Sequence, residues 1–597
     1  MNVRQTGSSF ASRQALITLS LILLVAFGLR IYKLDAHGIF LDEKFTLVCT
    51  QGVVQEGSNQ KDVFFTPGKT YFTPAEFWKP KTLADYNEAI IRSDISNSPA
   101  YTGLLALWIE VFGIGDYSTR FLSVIFSMGV IILTYLLAVR YTGSERVGLF
   151  SAALAATEPF FVAYAHVARS YSMTIFVSLL STYLFLLILE RRQTNKHPWG
   201  LYIAYGLTYA MTILGHSLGA MVFVAHGLYL LFYIRDIRTY LGLGLTWLIA
   251  TVTLLVPWFT IGGGKYIFMT MAYQAQFYRN LAYSSPGNNG FGYMLPGTIP
   301  NILKMALPVF ADLFWLTNGL TLDALGKRNT VVGLFVGLLA LAIVWRYRRS
   351  VSVPAWVSAA IPVLLSSVLL IATIKTGQQV VLAAVPLFGY VLYRAMTHYS
   401  QPGQRQFAVL LTMLLITPTL FLLIMAFKND HTYGITQRYT SFSFPYALIL
   451  LGMMLDQLLR MPRFLAVTLG VVVLVQGYYI LALDQRILDD VAVKYTQFGV
   501  PRIRNPYMTA AESIKTQYAP GDTVLYPAIR LHPADEIEKT YWPFSIKDAQ
   551  MTNLYLPKKA TYYQRMDTTQ SDRIWLVKGK TGQRVLIFDF KGQTYRY

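Results

Sequence analysis

One cysteine, Cys49, is the whole thiol content of this chain, so no internal disulfide can form and the redox character of its compartment stays open. Charge is also scarce. Only 14% of the 597 residues are Asp, Glu, Lys or Arg, whereas 54% are hydrophobic, a balance that excludes a disordered chain. The acidic side is the poorer one, with 31 residues against 51 basic ones. The net charge of +20 would also suit a nucleic-acid binder. However, the basic residues stand in short gaps between apolar runs, which is the pattern of membrane topology, and no nucleic-acid partner is expected. There is no Walker loop, no Cys/His spacing for zinc, and no internal repeat of the kind that marks inverted-repeat transporters. The first apolar run lacks a small-residue cleavage site. It ends in Leu29-Arg30-Ile31-Tyr32-Lys33 and reads as an uncleaved span.

What is abundant is apolar sequence of spanning length. Runs of about 17 to 22 residues, enough to cross a bilayer as helices, fall at 15–31, 118–139, 146–163, 171–190, 199–216, 217–234, 240–261, 330–346, 353–373, 378–396, 406–427, 439–459 and 464–483. The fold class expected is therefore an α-helical polytopic membrane protein of about 13 transmembrane helices. With a cytoplasmic N-terminus, the inner gaps hold the Arg140, Arg191, Arg235, Arg346, Arg394 and Arg460 clusters. The short outer gaps hold only Arg169, Lys375, Lys428 and Arg438, as the excess of positive charge inside demands. Segments 99–112 and 300–316 are too short or too polar to span and read as helices in the outer interface, anchored by Trp108 and Trp315.

Two long outer loops, 32–117 and 262–329, interrupt a membrane core of residues 1–484. The first contains Thr82-Leu83-Ala84-Asp85, a capped helix start. The second has the Gly-rich stretches 262–264 and 284–290, which fit either a lid or a loop without fixed structure. After 484 the composition changes. Runs at 523–526, 574–577 and 585–590 read as strands, so 485–597 is expected to be a small extracytoplasmic α/β domain.

Asp42 and Glu43 follow the first span by only ten residues. Carboxylates near hydrocarbon are costly unless paired, solvated or used. On helix chemistry alone Asp42 would be an N-cap and Glu43 a first-turn charge facing the dipole. Facing a water-filled cavity, Asp42 can instead take a proton from a hydroxyl.

The stretch from Leu29 to Leu34, then Phe40-Leu41-Asp42-Glu43, resembles the opening of the GT-C membrane glycosyltransferases. The likeness is narrower still to the dolichyl-phosphate-mannose protein mannosyltransferase superfamily and its bacterial relatives. It continues through Ser98-Pro99-Ala100-Tyr101, Leu107-Trp108, Phe112-Gly113, Arg120-Phe121-Leu122-Ser123, the segment Tyr164 to Tyr171, and Gln437-Arg438-Tyr439 before Pro445. Thirteen spans with an outer C-terminal domain also resemble the aminoarabinose transferase branch. The resemblance implies an inverting glycosyltransferase that takes sugar from a polyprenyl-phosphate donor. Its acceptor would be a hydroxyl of an envelope lipid, glycan or protein, reached at the outer face of a bacterial inner membrane.

In that scheme Asp42 is the base, Glu43 orients it or the acceptor, and Asp94 is a second acidic site. Here the sequence departs from the family, with Asn97 and Ser98 in place of its histidine and first proline. Arg169, His166 and Arg438 would meet the donor phosphate, since arginine's fork matches phosphate oxygens, with Lys375 and Lys428 as weaker partners. Interfacial snorkelling is the alternative for such basic residues. Tyr101, Glu158, His216 and Tyr439 would support the site, although His216 also reads as a buried structural histidine. A divalent metal is allowed through Asp42 or Asp94 but not required, because basic side chains can neutralise a single phosphate. A transporter or lipid flippase is the alternative class; it calls for ionisable groups near mid-membrane, and few are present.

Overall fold

The computed structural model describes residues 12–54, 72–93, 98–193, 198–289, 292–320, 325–348, 354–373, 375–398, 402–491, 495, 501–530 and 544–597. Every apolar run read above coincides with helix. Among the described residues nine helices are long and apolar enough to cross a membrane, from Arg13–Ile31 to Arg463–Leu488. A tenth arises if Glu145–Ala156 and Pro159–Ala165, bent by 55°, form one span. The remaining three runs are the shorter helices Trp199–Gly215, Ser217–Tyr233 and Ala355–Ile371. The chain is a polytopic helical membrane protein with a small α/β domain at its C-terminal side.

The bend has a local cause. Pro159 supplies no N–H to the turn before it, so carbonyls at the end of Glu145–Ala156 need other donors. Arg30, fully buried in the first helix, provides them: Nη1 donates to Ala156 O at 2.9 Å and Nη2 to Ala155 O at 3.2 Å. A cation at a helix C-terminus also complements the dipole. Tight packing elsewhere rests on small residues. A Cβ on Gly452, in Phe444–Leu458, would overlap Ser151 Oγ and come within 2.8 Å of Val147 O, so that helix and Glu145–Ala156 touch backbone to side chain.

The helix Pro99–Phe112, expected to lie in the interface, exposes Leu107, Val111 and Phe112, and Trp108 Nε1 donates to Ser118 O at 2.9 Å. Trp315 behaves differently from the expected anchor. It is buried and donates to Thr157 Oγ1 at 3.1 Å, because the 313–320 segment turns inward after the helix Ile299–Asp312. The Gly-rich second loop is largely ordered secondary structure: an 18-residue helix, Ile267–Ser284, follows the glycines, and a short hairpin pairs Gly287–Asn289 with Gly292–Met294.

All three strand-like runs of the C-terminal segment are strands. Thr523–Pro527 lies between Tyr563–Asp567, which it pairs in parallel, and Arg573–Val577, which it pairs antiparallel; Arg584–Asp589 completes the sheet. This sheet shares a core with the first long loop, residues 32–117. Phe72, Phe77 and Leu47 pack in one cluster with Tyr526, Ile574 and Tyr507, and Phe72 exchanges backbone hydrogen bonds with Gln564 at 2.9 and 2.8 Å.

Candidate active site

The Asp-Glu pair begins the helix Leu41–Thr50. Its N-cap is Phe40, not Asp42, and the Glu43 side chain turns back to accept the Phe40 N–H at 3.2 Å. The two neighbouring carboxylates thus have opposite fates, because successive helix positions point about 100° apart.

Glu43 is fully buried. Arg120 reaches it from the helix Asp116–Thr142 in a two-point contact, Nε to Oε1 and Nη2 to Oε2, both 2.8 Å. Ala168 N–H donates to Oε1 at 2.9 Å, and Arg502 Nη1 stands 3.9 Å from Oε2. Burial opposes ionisation of this carboxyl, but Arg120, Arg502 and the Ala168 amide outweigh it and hold the group below the usual glutamate range. Arg120 spends its remaining donors on Leu34 O, His37 O and Gly38 O at 2.9, 2.7 and 3.3 Å. Glu43 and Arg120 are therefore a buried clamp that fixes the turn leading into Asp42.

Asp42 is the partly exposed member of the pair. Its Oδ2 lies 3.5 Å from Arg438 Nη1, with both side chains close to three-tenths exposed. Arg169 is buried against the same helix turn, donating through Nη1 to Asp42 O at 3.2 Å and to Thr46 Oγ1 at 3.0 Å. Around Arg438 stand Tyr439, Tyr171 and Tyr164. The Tyr164 and Tyr171 rings meet edge to face at 4.7 Å, and His216 lies 5.6 Å from Tyr171 and 5.8 Å from Tyr439. The structure thus brings together Asp42, Arg169, Arg438, Tyr439 and His216, with Asp42 and Arg438 396 positions apart.

Other expected site residues are placed differently. His166 Nε2 is 3.2 Å from Leu29 O, and burial pushes its imidazole down to about 3, so the ring is neutral at physiological pH and lends no charge to a phosphate. Lys375 and Lys428 are exposed and pair with no side chain of the Asp42 cluster. Tyr101 is buried, 3.2 Å from Ser123 Oγ. Glu158 sits at the bend and accepts from Asn318 Nδ2 at 2.9 Å, tying the inward-turning 313–320 segment to the bundle. Asp94 lies outside the described residues. Among the described residues no three His, Cys, Asp or Glu side chains gather as a metal site, and the near charged neighbour of Asp42 is a guanidinium.

Sequence reasoning assigned no role to Arg120, Arg502 or Asp312. Arg502 holds Asp490 at 2.9 Å and donates to Gly38 O at 2.9 Å. Asp312 accepts from Gln437 Nε2 at 2.8 Å and so sets the backbone just before Arg438. Arg120 carried a usable signal, an arginine in the first turns of an apolar run, where charge is retained only with a partner. Arg502 and Asp312 carried none: the contacts that tie them to the site, Gly38 for Arg502 and Gln437 for Asp312, are 464 and 125 positions away.

Residues 96–258 match the family described as dolichyl-phosphate-mannose-protein mannosyltransferase. The resemblance read from the motifs is met over that segment. It takes in Tyr101, Arg120, Glu158, His166, Arg169 and His216 but not Asp42 or Arg438. No curated protein matches the chain. Among solved structures, it is similar to the archaeal oligosaccharyltransferase AglB from Archaeoglobus fulgidus, in complex with an inhibitory peptide and a dolichol-phosphate. Identity is 13% and the TM-score 0.46, over 95% of this chain and 66% of that one. It is also similar to ArnT from Cupriavidus metallidurans bound to undecaprenyl phosphate, with 15% identity, a TM-score of 0.35, and coverage of 92% of this chain and 85% of that one. The chain spans somewhat under two thirds of the length of the archaeal oligosaccharyltransferases it matches.

Proposed function

We propose that this chain is an inverting glycosyltransferase that moves a sugar from a polyprenyl-phosphate donor to an acceptor hydroxyl. The observation that carries the reading is the approach of the Asp42 carboxylate to Arg438 at 3.5 Å in a partly exposed cluster that also holds Arg169. The family match over residues 96–258 supports it.

The chemistry needs a base on one side of the anomeric carbon and cations on the other. As the acceptor oxygen attacks that carbon, its proton passes to Asp42. The bond from the anomeric carbon to the phosphate oxygen breaks, and the polyprenyl phosphate leaves with its negative charge received by Arg438 and Arg169. Attack opposite the leaving group inverts the centre. Without donor, Arg438 spends its charge on Asp42; a bound phosphate competes for that guanidinium and leaves the carboxylate to the acceptor. Positive charge held in place for the leaving group and a positioned base each contribute about 10²–10⁴ in rate.

The excess of arginine in alternate short loops supports a cytoplasmic N-terminus with Asp42 on the opposite, outer side, and we assign the chain to a bacterial inner membrane. There the acceptor is an envelope lipid, glycan or protein. The test is transfer of radiolabelled sugar from a lipid-linked donor by purified wild-type and Asp42→Asn protein. Loss of transfer with unchanged thermal stability is expected; normal turnover by Asp42→Asn would falsify the assignment.

A further inference from the structure

A second concave site lies far from the Asp42 cluster. The helix Phe444–Leu458 starts shortly after Arg438 and is 15 residues long, so its other end stands about 20 Å further along the bundle. There a cavity of about 250 Å³ is lined by Arg348, Arg394, Arg460, Gln457, Tyr347 and Tyr390. The walls belong to five helices and the turns at their ends: Lys327–Tyr347, Ala355–Ile371, Gly377–His398, Phe444–Leu458 and Arg463–Leu488. Water screens the mutual repulsion of these exposed guanidinium groups, yet three of them at one cavity give its mouth a positive potential that attracts an anion.

The local acidic charge does not balance them. Asp456 accepts Arg460 at 2.6 Å but is shared with Arg146 at 3.0 Å. Arg348 lies over the Trp345 ring at 3.9 Å and donates to Trp345 O at 2.7 Å. Among the described residues no carboxylate pairs with Arg348 or Arg394. An independent feature adds to the same sign: the start of the Arg463–Leu488 helix, through Pro462, Phe464 and Leu465, forms part of the wall. A helix start carries unbonded amides and the positive end of the dipole, the usual partners of phosphate. Trp345, Trp356 and Tyr393 are exposed on the same helix ends, which sets the opening at headgroup depth.

We propose that this cavity is a phosphate-binding site, separate from the donor site, filled by the phosphate of an anionic lipid headgroup or by free phosphate. Both sources offer oxygens to the arginine forks; the lipid also lays its chains along the apolar helix faces below. Tyr347 and Tyr390 line the same cavity beside the arginines. The inference does not depend on the transferase reading, and its test measures binding alone.

The experiment compares the full chain, purified in detergent, with R348Q/R394Q and with R346Q, whose arginine lies outside the cavity. The probes are phosphatidylglycerol, phosphatidylcholine and inorganic phosphate, read by native mass spectrometry and by thermal shift. Wild type and R346Q should retain phosphatidylglycerol over phosphatidylcholine, or respond to inorganic phosphate. R348Q/R394Q should lose on the order of tenfold or more in affinity, at about fivefold for each arginine removed. A response to phosphatidylglycerol alone identifies the lipid as source, and saturation by inorganic phosphate identifies the free ion. Equal binding by wild type and R348Q/R394Q, or no binding of either probe, overturns the proposal. Both substituted side chains are exposed, and an unchanged melting point without lipid or phosphate separates lost binding from lost folding.

Discussion

Asp42 and Glu43 are adjacent, carry the same functional group and should answer to the same substitution in opposite ways. Asp42→Asn leaves a partly exposed amide where a carboxylate stood, so stability should change little while transfer falls by about 10²–10⁴. Glu43→Gln leaves Arg120 buried without its counter-charge, a loss of about 3–5 kcal/mol, measurable as a lower melting temperature in detergent even where no donor is present. A pH series sharpens the contrast. Because the folded Glu43 carboxyl is held below the ordinary range, its stabilisation is complete above the unfolded value, about 4.3. It is lost as pH falls through the lower folded value. Wild type should therefore shed stability across that acid window, and Glu43→Gln should lack this component. Arg438→Ala removes the cation nearest to Asp42 and should weaken productive engagement of the donor more than folding, seen as a rise in apparent KM with lowered kcat.

At the scale of elements, the site depends on helices that meet closely. Gly452 faces Ser151 and the backbone oxygen of Val147, and a backbone oxygen cannot rotate away as a side-chain tip can. Gly452→Ala should push Phe444–Leu458 off Glu145–Ala156 at a cost of about 1–3 kcal/mol. It should also lower transfer, since Arg438 lies just before the first of these helices and Arg169 just after the bend that follows the second. Gly470→Ala is the matched control: nothing stands within 4 Å of its Cβ position, and alanine is the better helix former. Melting temperatures of the two variants decide the point.

The helices themselves were legible in the sequence because burial in lipid leaves long apolar runs, and three of the four strands of the C-terminal sheet because short apolar runs there are broken by Gly or Asp turns. Arg169 and Arg438 were readable as candidates because charge is rare on their short loops, and Asp42 because a carboxylate so close after a span is costly unless it is paired, solvated or used. The different environments of Asp42 and Glu43 were not, since they are set by Arg120, which lies 77 positions away. Nor was the inward turn that buries Trp315, which depends on the distant partner Thr157.

For the whole molecule, the C-terminal segment is part of the support beneath the site. Lys44, in the same helix as Asp42, is buried and donates to the backbone oxygens of Arg596 and Tyr597 at 3.1 and 2.6 Å. Gly38 N–H donates to Ile503 O at 2.7 Å, and a Cβ on Gly38 would come within 2.5 Å of the Tyr597 hydroxyl. Asn505 Nδ2 reaches Asp116 at 2.9 Å, one helical turn before Arg120. These contacts join the sheet and the first long loop to the bundle beside an apolar cluster that reaches the bundle helices at Leu122, Met173 and Val177, so the sheet and the Asp42 helix should lose structure together. Phe72→Ala tests this coupling. It empties a core position shared by loop and sheet, at about 3–5 kcal/mol, and touches none of Asp42, Arg169 or Arg438. Hydrogen exchange should then quicken both in 41–50 and in the strands 523–527 and 573–577, with transfer activity falling in parallel. Faster exchange confined to the sheet, with full activity, would mean that the domain rests on the loop without holding it.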